Sequence, residues 1–150
     1  MPKPLIGVAV AAALAVAATD PASAAPRKKT PERGYFDVTR MAPLTSEKGD
    51  PANGRLIART KGLCLSCHVM PIPEEPDHGD IGPDLAGVAT RWSPPELRMR
   101  VADAKAFNPD TPMPSFYKKD LNRVAKDWEG KSILTAQEVE DVVAYLLTLK

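Results

Sequence analysis

Two thiols three positions apart, followed at once by an imidazole, stand in this 150-residue chain as Cys64-Leu65-Ser66-Cys67-His68. That spacing is the attachment sequence for a c-type haem. Each thiol can add across one vinyl group of the macrocycle and leave a thioether. His68 then lies where a ring nitrogen can ligate the iron from one face. Other chemistries use part of the pattern, since C-x-x-C alone also serves thioredoxin-like redox sites and structural disulfides. The adjoining His68 and the lack of a β-α-β pattern argue against both. Structural zinc sites usually take four Cys or His ligands, and outside the motif His78 is the only Cys or His in the chain.

A second axial ligand is sought among the methionines. Met113 sits in Asn108-Pro109-Asp110-Thr111-Pro112-Met113-Pro114. Prolines on both sides force a stiff, extended loop and hold one thioether in place with little entropy to lose. Met70 is too close to His68 to reach the opposite face. Met99 falls within a predicted helix, and Met41 lies far upstream. Met113 is therefore the expected sixth ligand, against the alternative of a buried filler side chain. His78, in a loop rich in Pro and acid over residues 69–82, reads as a surface residue. As an iron ligand it would make a bis-His haem, which the sequence leaves open.

The elements that must position these groups are legible from caps and periodicity. Asp50-Pro51 predicts a helix start, with Asp50 as N-cap and Gly62 ending the helix after Lys61. Ser93-Pro94-Pro95-Glu96 is a capping box. Leu97, Arg100, Val101 and Ala104 continue it at helical spacing, predicting an amphipathic helix to about Phe107. Trp92 is expected to pack on the core, with a propionate hydrogen bond from Trp92 or Arg91 as the lesser alternative. Thr135-Ala136-Gln137-Glu138 is another capping box, followed by Val139, Val142, Val143, Leu146 and Leu149 on one face. This last helix is expected to run to Lys150, with Tyr145 packed, and to cross the first one. Residues 25–48 show no sustained period and read as an irregular, extended arm that packs on the domain or on a partner. Residues 116–131 read as a polar, Lys-rich connection.

Composition sets limits. The net charge is +1, so no strongly basic face for nucleic acid is implied. Aromatics make up only 5% of residues against sixteen prolines. Such a chain gains from burying a large flat macrocycle, at about 25 cal/mol per Å² of apolar surface. Residues 1–24 resemble a secretory signal: Lys3 gives a basic start, residues 5–18 are apolar, and Ala22-Ser23-Ala24 is an A-x-A cleavage site. The run is short for a membrane span, although an uncleaved anchor is the alternative. Cleavage near Ala24 would leave a periplasmic chain with no membrane segment, divided into an arm (25–48) and a haem domain (49–150). Export fits the motif, because haem is attached on the outer side of the bacterial cytoplasmic membrane. Both cysteines of the chain belong to the motif, leaving none for a disulfide, a lipid anchor or a catalytic thiolate.

The order of helix, C-x-x-C-H, middle helix, Pro-flanked methionine and terminal helix resembles the class I cytochromes c over residues 49–150. The implied fold is all-α, with about three main helices around one covalent haem c and the irregular N-terminal arm outside it. Gly82-Pro83-Asp84-Leu85 resembles the G-P-x-L element of that family. There the proline carbonyl accepts a hydrogen bond from the other ring nitrogen of the ligating histidine, which implies that role for Pro83 toward His68. A plain Gly-Pro turn is the alternative. Narrower matches at Gly79-Asp80-Ile81-Gly82-Pro83, Arg91-Trp92-Ser93, the Met113 loop and the segment from Ile133 to Leu146 resemble SoxX. These are the small mono-haem subunits of SoxAX complexes in bacterial sulfur oxidation.

That resemblance implies a periplasmic heterodimer with a SoxA subunit. The pair would form an L-cysteine S-thiosulfotransferase that oxidatively joins thiosulfate to a cysteine of the SoxYZ carrier and passes electrons to a downstream acceptor. The family assigns the sulfur chemistry to SoxA, and this chain has no third cysteine with which to perform it. Its implied part is electron transfer on a His68/Met113 haem, with no catalytic residue of its own. Two rivals stand beside this reading. One is a free-standing electron shuttle between respiratory complexes. The other is a gas sensor or peroxidase-like enzyme with an open distal site.

Overall fold

Apolar spacing and caps place four helices in the computed structural model, which describes residues 41–120 and 125–150. They are α1 (Pro51–Arg59), α2 (Val88–Arg91), α3 (Pro94–Phe107) and α4 (Ala136–Leu146), with no strand among the described residues. Two short 3-10 turns, Cys64–Ser66 and Lys126–Trp128, complete the regular structure. The expected signal and residues 25–40 of the arm lie outside the described residues.

The predicted starts hold because each cap satisfies N–H groups that have no partner within the helix. Asp50 Oδ1 accepts from the Ala52 N–H at 2.8 Å. Glu96 Oε2 accepts from both the N–H and the hydroxyl of Ser93, at 2.8 and 2.7 Å. Thr135 and Glu138 exchange reciprocal bonds of 3.2 and 2.7 Å. The ends differ from expectation. α1 stops at Arg59 with Thr60 as its cap, and the Gly62 N–H reaches back to the Ile57 carbonyl at 2.8 Å. α4 stops at Leu146, and the chain turns so that the Leu149 carbonyl accepts from the Ala89 N–H of α2 at 3.0 Å. Leu149 thus stays buried without the helix continuing. Lys150 therefore sits beyond the end of α4.

α1 packs backbone to backbone on α4. A Cβ on Gly54 would lie 1.9 Å from the Asp141 carbonyl oxygen, and one on Gly49 would lie 2.3 Å from that of Glu140. Only backbone can meet backbone there. Around this crossing Ile57, Ala58, Val139, Val142, Val143 and Leu146 form the core, joined by Leu97 and Val101 of α3.

α4 also carries a buried polar stripe. Arg98 of α3 and Glu140 are both buried, and their side chains pair at 2.6 and 2.8 Å. The Met41 carbonyl accepts from Arg98 at 2.8 Å, and the Leu44 N–H donates to Glu140 at 2.9 Å. The last part of the arm is therefore bonded to α3 and α4. Asp141, also buried, accepts from the Asp50 N–H, the Asn53 amide and the Gln137 amide at 2.9, 2.6 and 2.9 Å.

Burial alone would raise the Asp141 carboxyl, but these three donors outweigh it and hold its pKa below the usual carboxylate value. A depressed folded-state pKa adds stability above the unfolded value of about 4, and that stability is lost as pH falls through the folded value. Asp141→Asn should therefore be less stable than the wild type at neutral pH. It should also lose less of its remaining stability as the pH is lowered below about 4. Urea denaturation of the haem-loaded protein at a series of pH values measures both effects. Parallel curves for the two proteins would contradict the assignment.

Candidate haem-binding site

The attachment motif is shaped by one tight turn. Leu63 enters it in the left-handed region (φ 47°), and the N–H groups of Cys67 and His68 both point back to the Cys64 carbonyl, at 3.2 and 2.9 Å. This curl brings Cys64, Cys67 and His68 to one wall of a cavity. The cysteines are not joined to each other. Burial pushes the Cys64 thiol up to about 11, the opposite of the depressed value that makes a redox or nucleophilic thiol reactive.

The loop after the motif folds under it through backbone bonds. Leu65, Cys67 and Val69 carbonyls accept from the N–H groups of Gly79, Gly82 and Leu85 at 2.8, 2.7 and 2.9 Å. Gly82 lies flat against the imidazole, where an added Cβ would be 2.3 Å from Cε1 of His68. The Pro83 carbonyl then sits 2.7 Å from His68 Nδ1. A carbonyl can only accept, so Nδ1 carries the proton and Nε2 keeps a free lone pair for a metal. The geometry expected of a G-P-x-L element is present.

The cavity has two lobes, of about 660 and 620 Å³. Cys64, His68, Pro83, Thr111, Met113 and Phe116 line both, so His68 and Met113 belong to the wall that the two lobes share. Of the other methionines in the described residues, Met70 lines one lobe, while Met41 and Met99 line neither. His78 also lines neither. Its Nδ1 accepts from the Met70 N–H at 3.3 Å, and its buried Nε2 has no partner.

The first lobe opens past exposed Leu63, Ile81 and Trp128. The second runs inward to Leu97, Val101, Val142 and Leu146 and carries two cations, Arg91 and Arg100. Among the described residues no Asp or Glu lines either lobe. Arg91 is committed to the Asp84 and Ala86 carbonyls at 2.6 and 2.8 Å. Arg100 lies between two aromatic faces, 3.6 Å from the Trp92 ring centre and 4.5 Å from that of Phe107. Burial lowers its pKa despite the nearby Glu96. Trp92 is thus a partly exposed platform for Arg100 at the cavity wall, where the sequence predicted core packing. Sequence reasoning passed over Arg100 because its spacing reads as one more position on an amphipathic face.

A largely apolar cavity lined by a thiol pair, an imidazole with a free Nε2 and a thioether fits a haem. Cations without carboxylates in the inner lobe suit its propionates. The residues that would hold it are Cys64 and Cys67 by thioethers, His68 and Met113 at the iron, and Arg100 toward the propionates.

Comparison with known proteins agrees with this geometry. The family model for cytochrome c matches residues 51–150. The chain belongs to the cytochrome c family. A crystal structure of SoxXA from P. pantotrophus is similar, at 40% sequence identity and a TM-score of 0.66, covering 73% of this chain and 88% of that one. Within the family the chain is a SoxX-type cytochrome with the class I fold. No curated protein matched the chain.

Because Gly82 sets the approach of the ring, Gly82→Ala should push His68 off the Pro83 carbonyl. This should weaken its hold on iron about tenfold or more, as losses of such supporting bonds do. An acid titration of the visible spectrum reads the effect. The variant should lose its low-spin spectrum at higher pH than the wild type, and coincident curves would contradict the role of Gly82.

Proposed function

We propose that this cytochrome is the electron-transfer subunit of a SoxAX-type L-cysteine S-thiosulfotransferase in the periplasm, paired with a SoxA-type chain. One haem c is held covalently by Cys64 and Cys67, with His68 and Met113 as axial ligands. The observation that carries the reading is that His68 and Met113 both line both lobes of the one cavity. With both of these donors on the iron, no position would be left for a substrate, which suits outer-sphere electron transfer. That favours a carrier over a sensor or peroxidase. Pairing imidazole with thioether also raises the reduction potential relative to a bis-His site.

Joining thiosulfate to a carrier cysteine forms an S–S bond and releases a proton and a pair of electrons. The chain's two cysteines both lie in the haem motif, so the bond forms on other chains, the SoxA subunit and the SoxYZ carrier. This subunit, with its single haem, would take the electrons one at a time and hand each to a downstream acceptor. Likeness to a SoxXA structure supports this pairing over a free-standing shuttle. No helix among the described residues is long and apolar enough to cross a membrane, and the A-x-A sequence at residues 22–24 supports export.

Two measurements test the proposal. Exported protein should retain haem after denaturing electrophoresis, and Met113→Ala should lose the weak ferric band at the far-red edge of the visible spectrum. A spectrum unchanged by the substitution would remove Met113 from the iron. Co-expression with a SoxA-type subunit should yield a complex that survives gel filtration at micromolar concentration. Separate elution would favour the shuttle.

A further inference from the structure

α3 is broken at Asp103 (φ −149°, ψ 76°), where the sequence reads a continuous helix. In an unbroken helix the carbonyls of Val101 and Ala102 would serve the N–H groups four residues on. The Asp103 dihedrals fall inside the span of both those bonds. The two carbonyls accept from the N–H groups of Phe116 and Tyr117, at 3.2 and 3.0 Å. The Asp103 carboxylate replaces part of what the helix loses, since its Oδ1 accepts from the Ala106 N–H at 3.3 Å. The same oxygen accepts from the hydroxyl of Ser115, a residue only 1% exposed, at 2.5 Å. Its other oxygen lies 3.6 Å from Lys118 Nζ. On the near side of the loop, Lys105 donates to the Thr111 carbonyl at 2.6 Å. Met113 therefore lies between two anchors, and both run to the broken end of α3.

We propose that Asp103 is the positioning residue of the distal wall: its carboxylate keeps α3 open and Ser115 bound, and so holds the Met113 thioether in the cavity. This rests on Met113 being the iron ligand proposed above. The competing state is a healed helix. Asp is a weak helix former and Ala the strongest. With Ala at position 103 the helix can run through, reclaim both carbonyls and release residues 115–117. A released loop raises the fraction of molecules with an accessible sixth position, and apparent affinity for an added ligand scales with that fraction.

Imidazole titration and the far-red ferric band of the holoprotein read this directly. The wild type must first show the band and lose it in Met113→Ala; without that, the ligand assignment fails and the positioning role fails with it. Given the band, Asp103→Ala should weaken it and bind imidazole at least about tenfold more tightly than wild type. Asp103→Asn keeps an acceptor for Ser115 and Ala106 and should stay near wild type. Ser115→Ala, which leaves the helix break intact, should fall between the two. If Asp103→Ala does not accumulate as holoprotein, Ser115→Ala decides the matter through the same two readouts. Wild-type band and imidazole affinity in whichever of these two variants is read would overturn the proposal. So would an Asp103→Asn protein that behaves like Asp103→Ala.

Discussion

One hydrogen bond governs the proximal half of this molecule: His68 Nδ1 to the Pro83 carbonyl, at 2.7 Å. It settles which nitrogen bears the proton, and so which one can face a metal. Its requirements propagate outward. The carbonyl must come under the ring, so the residue before Pro83 can have no side chain. The loop of residues 79–85 must return beneath the motif, and three backbone bonds to Leu65, Cys67 and Val69 bring it there. Gly79 makes the same demand at Ser66, where a Cβ would lie 2.1 Å from the carbonyl oxygen. The bond therefore orients the ring and also dictates the local sequence.

The distal wall is held by different means. There Pro112 and Pro114 stiffen the segment, and the neighbouring helix gives up part of its own ladder to bind it. Both walls draw on backbone groups, and on the Met113 side the Asp103 carboxylate and the Lys105 ammonium add side-chain anchors. For a redox site such anchoring matters, because an electron moves most easily when the ligands need little rearrangement. A preorganised imidazole and a thioether with few accessible conformations serve that end.

The features legible in the sequence were those written locally. Caps at Asp50, Ser93 and Thr135 mark helix starts because each satisfies N–H groups only a few residues away. The motif, the G-P turn and the doubly flanked Met113 are likewise short-range statements, and the structure gathers Cys64, Cys67, His68, Pro83 and Met113 around one cavity. What was hidden depends on distant partners. The break at Asp103 interrupts a helical period that continues on both sides, and its cause lies at Ser115, Phe116 and Tyr117. Arg98 and Glu140 read as ordinary charged positions on two helices, and nothing local says that they face each other. Leu149 keeps the helical spacing of α4 but is buried by a turn against α2.

The buried stripe on α4 shows what such hidden pairing does. A buried ion pair gains little net stability over an apolar one, while losing one partner costs about 3–5 kcal/mol. Its value here lies in specificity. Arg98 and Glu140 each hold a backbone group of the incoming arm as well as each other. Asp141 binds the start of α1 beside them. One face of α4 thus fixes the arm, α1 and α3 with directional bonds, which an apolar contact would leave free to slide. The opposite face supplies Val142 and Leu146 to the haem slot. A shift of α4 would move the cavity wall, so the polar stripe and the slot are two sides of one constraint.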